Sequence, residues 1–123
     1  MLIADDTQVI KQGDKSVGVS PQHCGLTGQI ENCQVLPMLS YASELGHAFI
    51  DRRLYMPQAW MDDPERRARA GVPPDLTFTT KPELVIEMLT AAIGVIAHKW
   101  FAADSGYGRD PKLRAFCHVS ALP

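Results

Sequence analysis

The 123-residue sequence has few cysteines and no pair of residues with zinc-site spacing. Cys24, Cys33 and Cys117 are odd in number and irregularly placed, which argues against a disulfide-bonded secreted scaffold and indicates reduced thiols in a cytoplasmic protein. Structural zinc sites usually show a Cys-x-x-Cys or His-x-x-x-His pair, and neither occurs here. We therefore expect no structural zinc and no disulfide framework.

Long apolar runs and an excess of basic residues are also missing. Runs such as Val95-Ile96-Ala97 are far too short to span a membrane, and no basic segment followed by a long apolar one marks a signal peptide. The net charge of −2 provides no overall basic surface. Any contact with nucleic acid must therefore come from local patches.

Two short apolar runs that are present each end on an acid. Leu2-Ile3-Ala4 leads into Asp5 and Asp6, and Trp100-Phe101-Ala102-Ala103 leads into Asp104. A carboxylate that follows a buried strand lies at the carboxyl edge of the sheet, where sites form in α/β proteins. We predict that the strands at residues 2–5 and 99–104 are parallel neighbours.

The acids at these two strand ends have two interpretations. Converging carboxylate oxygens are what Mg²⁺ requires. Alternatively, the same acids cap turns or helices. Because strand side chains alternate, only one of Asp5 and Asp6 is expected to face the same side as Asp104.

The remaining pattern predicts a single α/β domain with several strands followed by helix, strand and helix. Further strands are expected at residues 16–20, 33–41 and 48–55, with a turn at 7–14 and a loop or short hairpin at 21–32. The strongest helix begins near Pro82, after a capping box of Thr80 and Glu83. We expect it to bury Leu84, Met88, Leu89 and Ile96.

The main concentration of basic residues surrounds a short predicted helix after Asp62-Asp63-Pro64. Its members are Arg66, Arg67 and Arg69, with Arg52 and Arg53 before them and Lys81 further along the chain. They either contact phosphates or form a solvated face balanced by neighbouring acids. Trp60, beside this segment, is predicted to pack in the core rather than stack on a base.

An ordered set of motifs resembles the catalytic domain of bacterial insertion-sequence transposases of the DDE superfamily. The resemblance covers residues 2 to about 116, and no single piece is specific. The motifs are Asp5-Asp6-Thr7, Lys11-x-Gly13, Ser16-Val17-Gly18-Val19, Gln22, Gly25, Gly28, Asn32-Cys33-Gln34, Leu54-Tyr55-x-Pro57, Trp60, Asp63-Pro64-x-Arg66-Arg67, Gly71-Val72-Pro73, Thr80-Lys81-Pro82-Glu83-Leu84, Ala103-Asp104-x-x-Tyr107-Gly108 and Leu113-Arg114.

The resemblance implies an RNase H-like mixed sheet with flanking helices, incomplete at the C-terminus, with residues 1–123 as one partial catalytic domain. It implies DNA transposition by two-metal phosphoryl transfer with Mg²⁺ or Mn²⁺. Asp5 and Asp104 are the expected catalytic residues and metal ligands. The residues expected to contact DNA are Lys11, Arg66, Arg67 and Lys81.

One part of the family pattern has no counterpart here. The family carries a catalytic Glu on a later helix, and residues 117–123 depart from its pattern. The chain is therefore expected to be a transposase fragment that is inactive alone. Alternatives are a non-catalytic module that binds DNA, an intact transposase or itself, and an unrelated RNase H-like nuclease that uses Asp51 and Asp63.

Overall fold

The computed structural model describes residues 1–120. The last three residues of segment 117–123, where the sequence leaves the family pattern, lie outside the described residues. The described chain contains five strands and five helices. They are β1 (Leu2–Ile10), β2 (Ser20–Cys24), β3 (Gln29–Ser43), β4 (Gly46–Arg52), α1 (Gln58–Met61), α2 (Pro64–Arg69), α3 (Lys81–Ile93), β5 (Phe101–Ala103), α4 (Ser105–Gly108) and α5 (Pro111–Val119).

The five strands form one mixed sheet in the order β2-β3-β1-β5, with β4 also paired to β3. Strands β1 and β5 are parallel, with Leu2 opposite Phe101 and Ala4 opposite Ala103. This confirms the pairing predicted from the two apolar runs that end on acids. The β2–β3 and β3–β4 pairs are antiparallel. A mixed sheet with flanking helices agrees with the RNase H-like fold that the resemblance implies.

The described residues form two compact units. The first unit contains residues Met1–Asp6, Pro37–Arg53 and the described residues from Thr80 onward. Its core combines side chains from strands β1 and β3 with helices α3, α4 and α5. The buried members are Leu2, Ala4, Leu39, Val85, Met88, Leu89, Ala92, Tyr107 and Leu113.

Helix α3 supplies the largest share of that core and begins at the predicted capping box. The Thr80 hydroxyl oxygen accepts the backbone N–H of Glu83 at 3.3 Å, and the Glu83 carboxylate accepts the Thr80 N–H at 3.4 Å. The predicted burial of Leu84, Met88 and Leu89 is confirmed. The helix ends at Ile93, so Ile96 lies beyond it and packs half-buried against the same core.

Replacing Thr80 with alanine is expected to lower the free energy of unfolding by about 1 kcal/mol, because alanine leaves the backbone N–H of Glu83 without its acceptor at the helix start. Thr90→Ala is the matched control. Thr90 is exposed on the same helix and its hydroxyl donates to the Ile86 carbonyl, so alanine there is neutral or slightly stabilising. Urea denaturation followed by circular dichroism measures both. Equal losses would contradict the capping role.

The second unit contains residues Thr7–Leu36 and Leu54–Thr79. Val19, Met56 and Trp60 form its buried core, which Val17, Met61, Ala70 and Val72 cover in part. The Trp60 indole N–H donates to the Val19 carbonyl at 2.7 Å, so its polar atom is satisfied inside the core. The predicted core role of Trp60 is confirmed.

The predicted strand at residues 16–20 is wrong. Val19 N–H donates to the Ser16 carbonyl at 3.1 Å, which makes a turn there. Gly18 has a φ of +79°, and a Cβ at this position would lie 3.2 Å from the Tyr55 carbonyl oxygen. The apparent alternation therefore reflects a tight turn against neighbouring backbone. Strand β2 starts at Ser20 instead, and the hairpin alternative for residues 21–32 is confirmed.

Other details of the sheet also differ from the sequence prediction. Strand β1 continues to Ile10, through residues that were predicted to form a turn. A proline usually lies in an edge strand or at a bulge, yet Pro37 belongs to β3, which lies inside the sheet. Pro37 falls between the segment paired with β2, which ends at Cys33, and the segment paired with β4, which starts at Met38. An irregularity in the β3–β4 register follows between Leu39 and Ser40.

Candidate active site

Strand β1 carries alternate side chains to opposite faces of the sheet, and this alternation separates its two acids. Leu2 and Ala4 are buried, and Asp6 continues on their face with 18% of its side chain exposed. Asp5 belongs to the opposite set and is exposed. One oxygen of Asp5 accepts the backbone N–H of Asp6 at 2.9 Å. Only Asp6 therefore projects on the core side of the strand.

Asp104 follows β5 and begins helix α4. Because β1 and β5 are parallel and in register at Ala4 and Ala103, Asp104 follows β5 at the edge where β1 carries its acids. Its Oδ1 accepts the backbone N–H of Tyr107 at 3.1 Å, so it caps α4. The capping interpretation is confirmed for this acid, and the cap leaves Oδ2 available to a ligand.

Tyr107 and Lys81 both reach the Asp6 carboxylate. The buried phenol of Tyr107 donates its O–H to Asp6 Oδ1. The Lys81 ammonium nitrogen lies 3.9 Å from Asp6 Oδ2. Lys81 is the first residue of α3, so the helix fixed by the Thr80 capping box also positions this cation. Helix α4 thus places a hydrogen-bond donor at Asp6 Oδ1, and α3 places a cation near Asp6 Oδ2.

Burial and charge act in opposite directions on Asp6. Burial raises the pKa of this carboxyl above its usual value, and the charges of Asp104 and Asp5 raise it further. The Tyr107 hydrogen bond and the Lys81 charge oppose that increase. Burial, and then the contact with Asp6, raise the pKa of the Tyr107 hydroxyl far above its usual value. Tyr107 therefore stays a neutral donor at neutral pH.

These side chains line a pocket of about 230 Å³. Its lining residues are Asp6, Lys81, Pro82, Asp104, Gly106 and Tyr107. The pocket thus brings together Asp104 and Lys81 from the sequence-predicted set. Asp5 does not line it, and the acid from β1 that does is Asp6. The assignment of Asp5 as a metal ligand stays a prediction.

The donor chemistry of this pocket fits a hard divalent cation, although the number of donors is small. Two carboxylates, Asp6 and Asp104, meet there, and carboxylate oxygens are the ligands that Mg²⁺ and Mn²⁺ prefer. Within residues 1–120, no three acidic, histidine or cysteine side chains are grouped closely enough to hold a metal ion. The acids of the alternative nuclease hypothesis are engaged elsewhere. Asp51 pairs with Arg53 at 2.6 Å, and Asp63 caps α2.

The other sequence-predicted DNA contacts lie in the second unit. The backbone of Lys11 pairs with Asn32, and its side chain is half-buried. Arg66 stacks on the Trp60 ring, with its guanidinium carbon 3.9 Å from the ring centroid. Arg67 donates from Nη1 to the backbone carbonyls of Trp60 and Met61, so this side chain ties α2 to α1.

Sequence reasoning did not place Asp6 in this pocket, although strand alternation indicates which face it occupies. Leu2 and Ala4 are the apolar positions of β1, and Asp6 has the same parity. The contact between Tyr107 and Asp6 joins residues 101 positions apart, and no local pattern indicates it. The motif that contains Tyr107, Asp104-x-x-Tyr107, indicates only that Tyr107 lies one helical turn after Asp104.

Comparison with known protein families identifies the family to which the chain belongs. The family model described as DDE superfamily endonuclease matches residues 1–120. No significant match is found among curated proteins or solved structures. DDE endonuclease domains act on DNA, and the superfamily generally uses divalent metals. Among the described residues, none of the helices has the length and apolar character needed to cross a membrane. With a match over nearly its full length and the expected mixed sheet, the chain belongs to the DDE superfamily of endonucleases.

Proposed function

We propose that the chain carries the phosphoryl-transfer site of a DDE transposase catalytic domain, and that the isolated chain does not cleave DNA. The observation that carries this proposal is the meeting of Asp6 and Asp104 in one pocket, at the ends of two parallel strands. A pair of carboxylates at this edge suits metal-assisted chemistry on a phosphodiester. The substrate class follows from the family, whose members act on DNA.

Asp6 and Asp104 are the carboxylates that would hold a Mg²⁺ or Mn²⁺ ion in this pocket. When bound, such an ion supplies Lewis-acid activation of a phosphoryl oxygen or of the attacking hydroxyl. The motif alone favours Asp5 as the ligand from β1. The geometry favours Asp6, because Asp6 lines the pocket whereas Asp5 is exposed.

The chain's own residues prepare the carboxylates and the substrate. Tyr107 donates to Asp6 and fixes the orientation of its carboxyl group. Lys81 lowers the pKa of Asp6 and so favours its ionised form, which a cation needs. The Lys81 ammonium also suits a phosphate of the DNA backbone at the mouth of the pocket. The charge of Lys81 serves both purposes because it stands beside Asp6 at the pocket wall.

The proposed inactivity follows from the small number of fixed oxygen ligands. Nothing in the sequence matches the family's catalytic Glu, and residues 1–120 group no third acidic side chain with Asp6 and Asp104. Phosphoryl transfer depends on positioning both the attacking and the leaving oxygen. Two carboxylates fix the metal ions, and through them the attacking and leaving oxygens, less firmly than three. The isolated chain therefore loses most of the rate acceleration of the family reaction.

Incubation of the purified chain with supercoiled plasmid and Mn²⁺ tests this proposal. We expect no nicked or linear product above the level of the Asp6→Asn and Asp104→Asn variants. Cleavage by the parent chain that both variants abolish would overturn the proposed inactivity. That result would also show that a third ligand comes from a residue outside the pocket described here or from a second copy of the chain.

A further inference from the structure

The second unit contains a polar cleft of about 420 Å³ that shares no residue with the candidate active site. Three cationic side chains line it, from Lys15 in the turn before β2 and from Arg66 and Arg69 of helix α2. Its other lining residues include two acids, Asp14 and Asp63, and the aromatic Trp60. The motifs of the family resemblance include Arg66 but neither Lys15 nor Arg69, although Arg69 belongs to the basic concentration noted in the sequence.

Arg66 is held in place by the groups behind it. Its guanidinium lies 3.9 Å from the centroid of the Trp60 ring, a cation–π contact. Its Nη2 donates to the Asp14 carbonyl oxygen at 2.8 Å. Trp60 itself is fixed in the core by its bond to Val19. A guanidinium has five N–H donors, so a preoriented group with further donors faces the cleft.

Lys15 and Arg69 are exposed, and their side chains make no hydrogen bond or ion pair with any described residue. The two acids of the cleft offset these cations only in part. The Asp63 carboxylate accepts the Arg66 backbone N–H as the α2 cap, and Asp14 contributes its backbone carbonyl to Arg66. Three cations against two acids leave the cleft with an excess of positive charge.

The adjacent Arg67 shows that the grouping is selective. Arg67 does not line the cleft, and its Nη1 donates to two backbone carbonyls at the end of α1. Of the three arginines of helix α2, Arg66 and Arg69 are therefore available to a ligand, while Arg67 stabilises the local fold. This division separates the two roles that composition alone could not distinguish.

We propose that Lys15, Arg66 and Arg69 form a binding site for a phosphodiester group of the DNA backbone. The proposal rests on the proposed function only in taking DNA as the substrate. Guanidinium forks and an ammonium are the groups that recognise phosphate oxygens. The Trp60 face is covered by Arg66 and only 1% of the residue is exposed, so it offers no platform for a base. The contact is therefore with the backbone and independent of sequence.

Fluorescence anisotropy with a fluorescein-labelled DNA duplex tests the site in EDTA, so that the result does not depend on the carboxylates or on cleavage. The variants are Lys15→Gln, Arg69→Gln and the double variant. Arg114→Gln is the matched control, because Arg114 is an exposed arginine of α5 in the first unit. We expect each single variant to weaken binding roughly threefold to tenfold at moderate salt, and the control to bind like the parent chain.

The salt dependence separates a phosphate contact from a general loss of charge. Each neutralised phosphate contributes about 0.9 to the slope of log K against log salt concentration. Because the site binds one phosphodiester group, the double variant should lose about 0.9. Unchanged melting temperatures for Lys15→Gln and Arg69→Gln exclude a folding effect, whereas Arg67→Gln should melt lower.

Three results would overturn the inference. The first is a double variant with the affinity and salt slope of the parent chain. That result would exclude the phosphate site but would not bear on the proposed phosphoryl-transfer site. The second is an equal loss in Arg114→Gln. The third is displacement of the duplex by millimolar inorganic phosphate at constant ionic strength, which would identify a site for free phosphate. The proposed function is tested by separate experiments, which measure cation binding and plasmid cleavage.

Discussion

Replacing Trp60 with alanine is expected to lower the free energy of unfolding by about 3–5 kcal/mol. Trp60 is 1% exposed and contributes the largest side chain to the core of the second unit. Alanine removes its packing against Val19 and Met56 and leaves the Val19 carbonyl without its donor. Arg66 also loses the ring on which it stacks. Because small domains have only about 5–15 kcal/mol of stability, this loss is a large fraction of the total.

Urea denaturation measures this effect, and Trp100→Ala is its matched control. Trp100 is 59% exposed, so its truncation should change stability by no more than about 0.5 kcal/mol. At a urea dependence of about 2 kcal/mol per M, the Trp60 variant should unfold at a concentration roughly 2 M lower. Equal midpoints for the two variants would show that Trp60 does not organise the second unit.

Replacing Leu89 with alanine is the change with the next largest expected effect, a loss of about 2–5 kcal/mol. Leu89 lies on α3, is fully buried and shares a core with Leu2 and Ala4 of β1 and with Tyr107 of α4. The cavity left by alanine adds to the lost transfer free energy, since close-packed cores relax only in part. The same core positions the strand and helix that carry Asp6 and Asp104.

Leu45→Ala gives the comparison for Leu89, because Leu45 lies in the β3–β4 turn and is fully exposed. Both variants remove the same atoms, so the difference between their unfolding free energies isolates burial. We expect the Leu45 variant to lie within about 0.5 kcal/mol of the parent chain. A Leu89 variant as stable as the Leu45 variant would mean that α3 does not pack as described.

The elements that sequence reasoning found share a local signal. The capping box at Thr80 and the apolar spacing that follows are contained within one helix, so α3 was predictable. The pairing of β1 with β5 came from two short apolar runs that end on acids. In each case, the signal is contained within short runs of sequence, although the paired strands β1 and β5 are far apart along the chain.

The elements that it missed depend on partners distant in sequence. The sequence around Gly18 alternates like a strand, but Gly18 lies in a turn that packs closely against the backbone carbonyl of Tyr55. The role of Arg67 is set by backbone carbonyls of α1, and Tyr107 meets Asp6 only after the sheet has formed. The choice between Asp5 and Asp6 was open to sequence reasoning, because strand alternation alone assigns Asp6 to the face of Leu2 and Ala4.

Mn²⁺ binding, followed by the electron paramagnetic resonance signal of the free ion, tests the central claim most directly. The isosteric variants Asp5→Asn, Asp6→Asn and Asp104→Asn form the comparison, with circular dichroism as the check on folding. The account predicts weak binding by the parent chain, at least tenfold weaker binding in the Asp6 and Asp104 variants, and nearly parental binding in the Asp5 variant. Loss of binding in the Asp5 variant with retention in the Asp6 variant would contradict it and restore Asp5 as the ligand from β1.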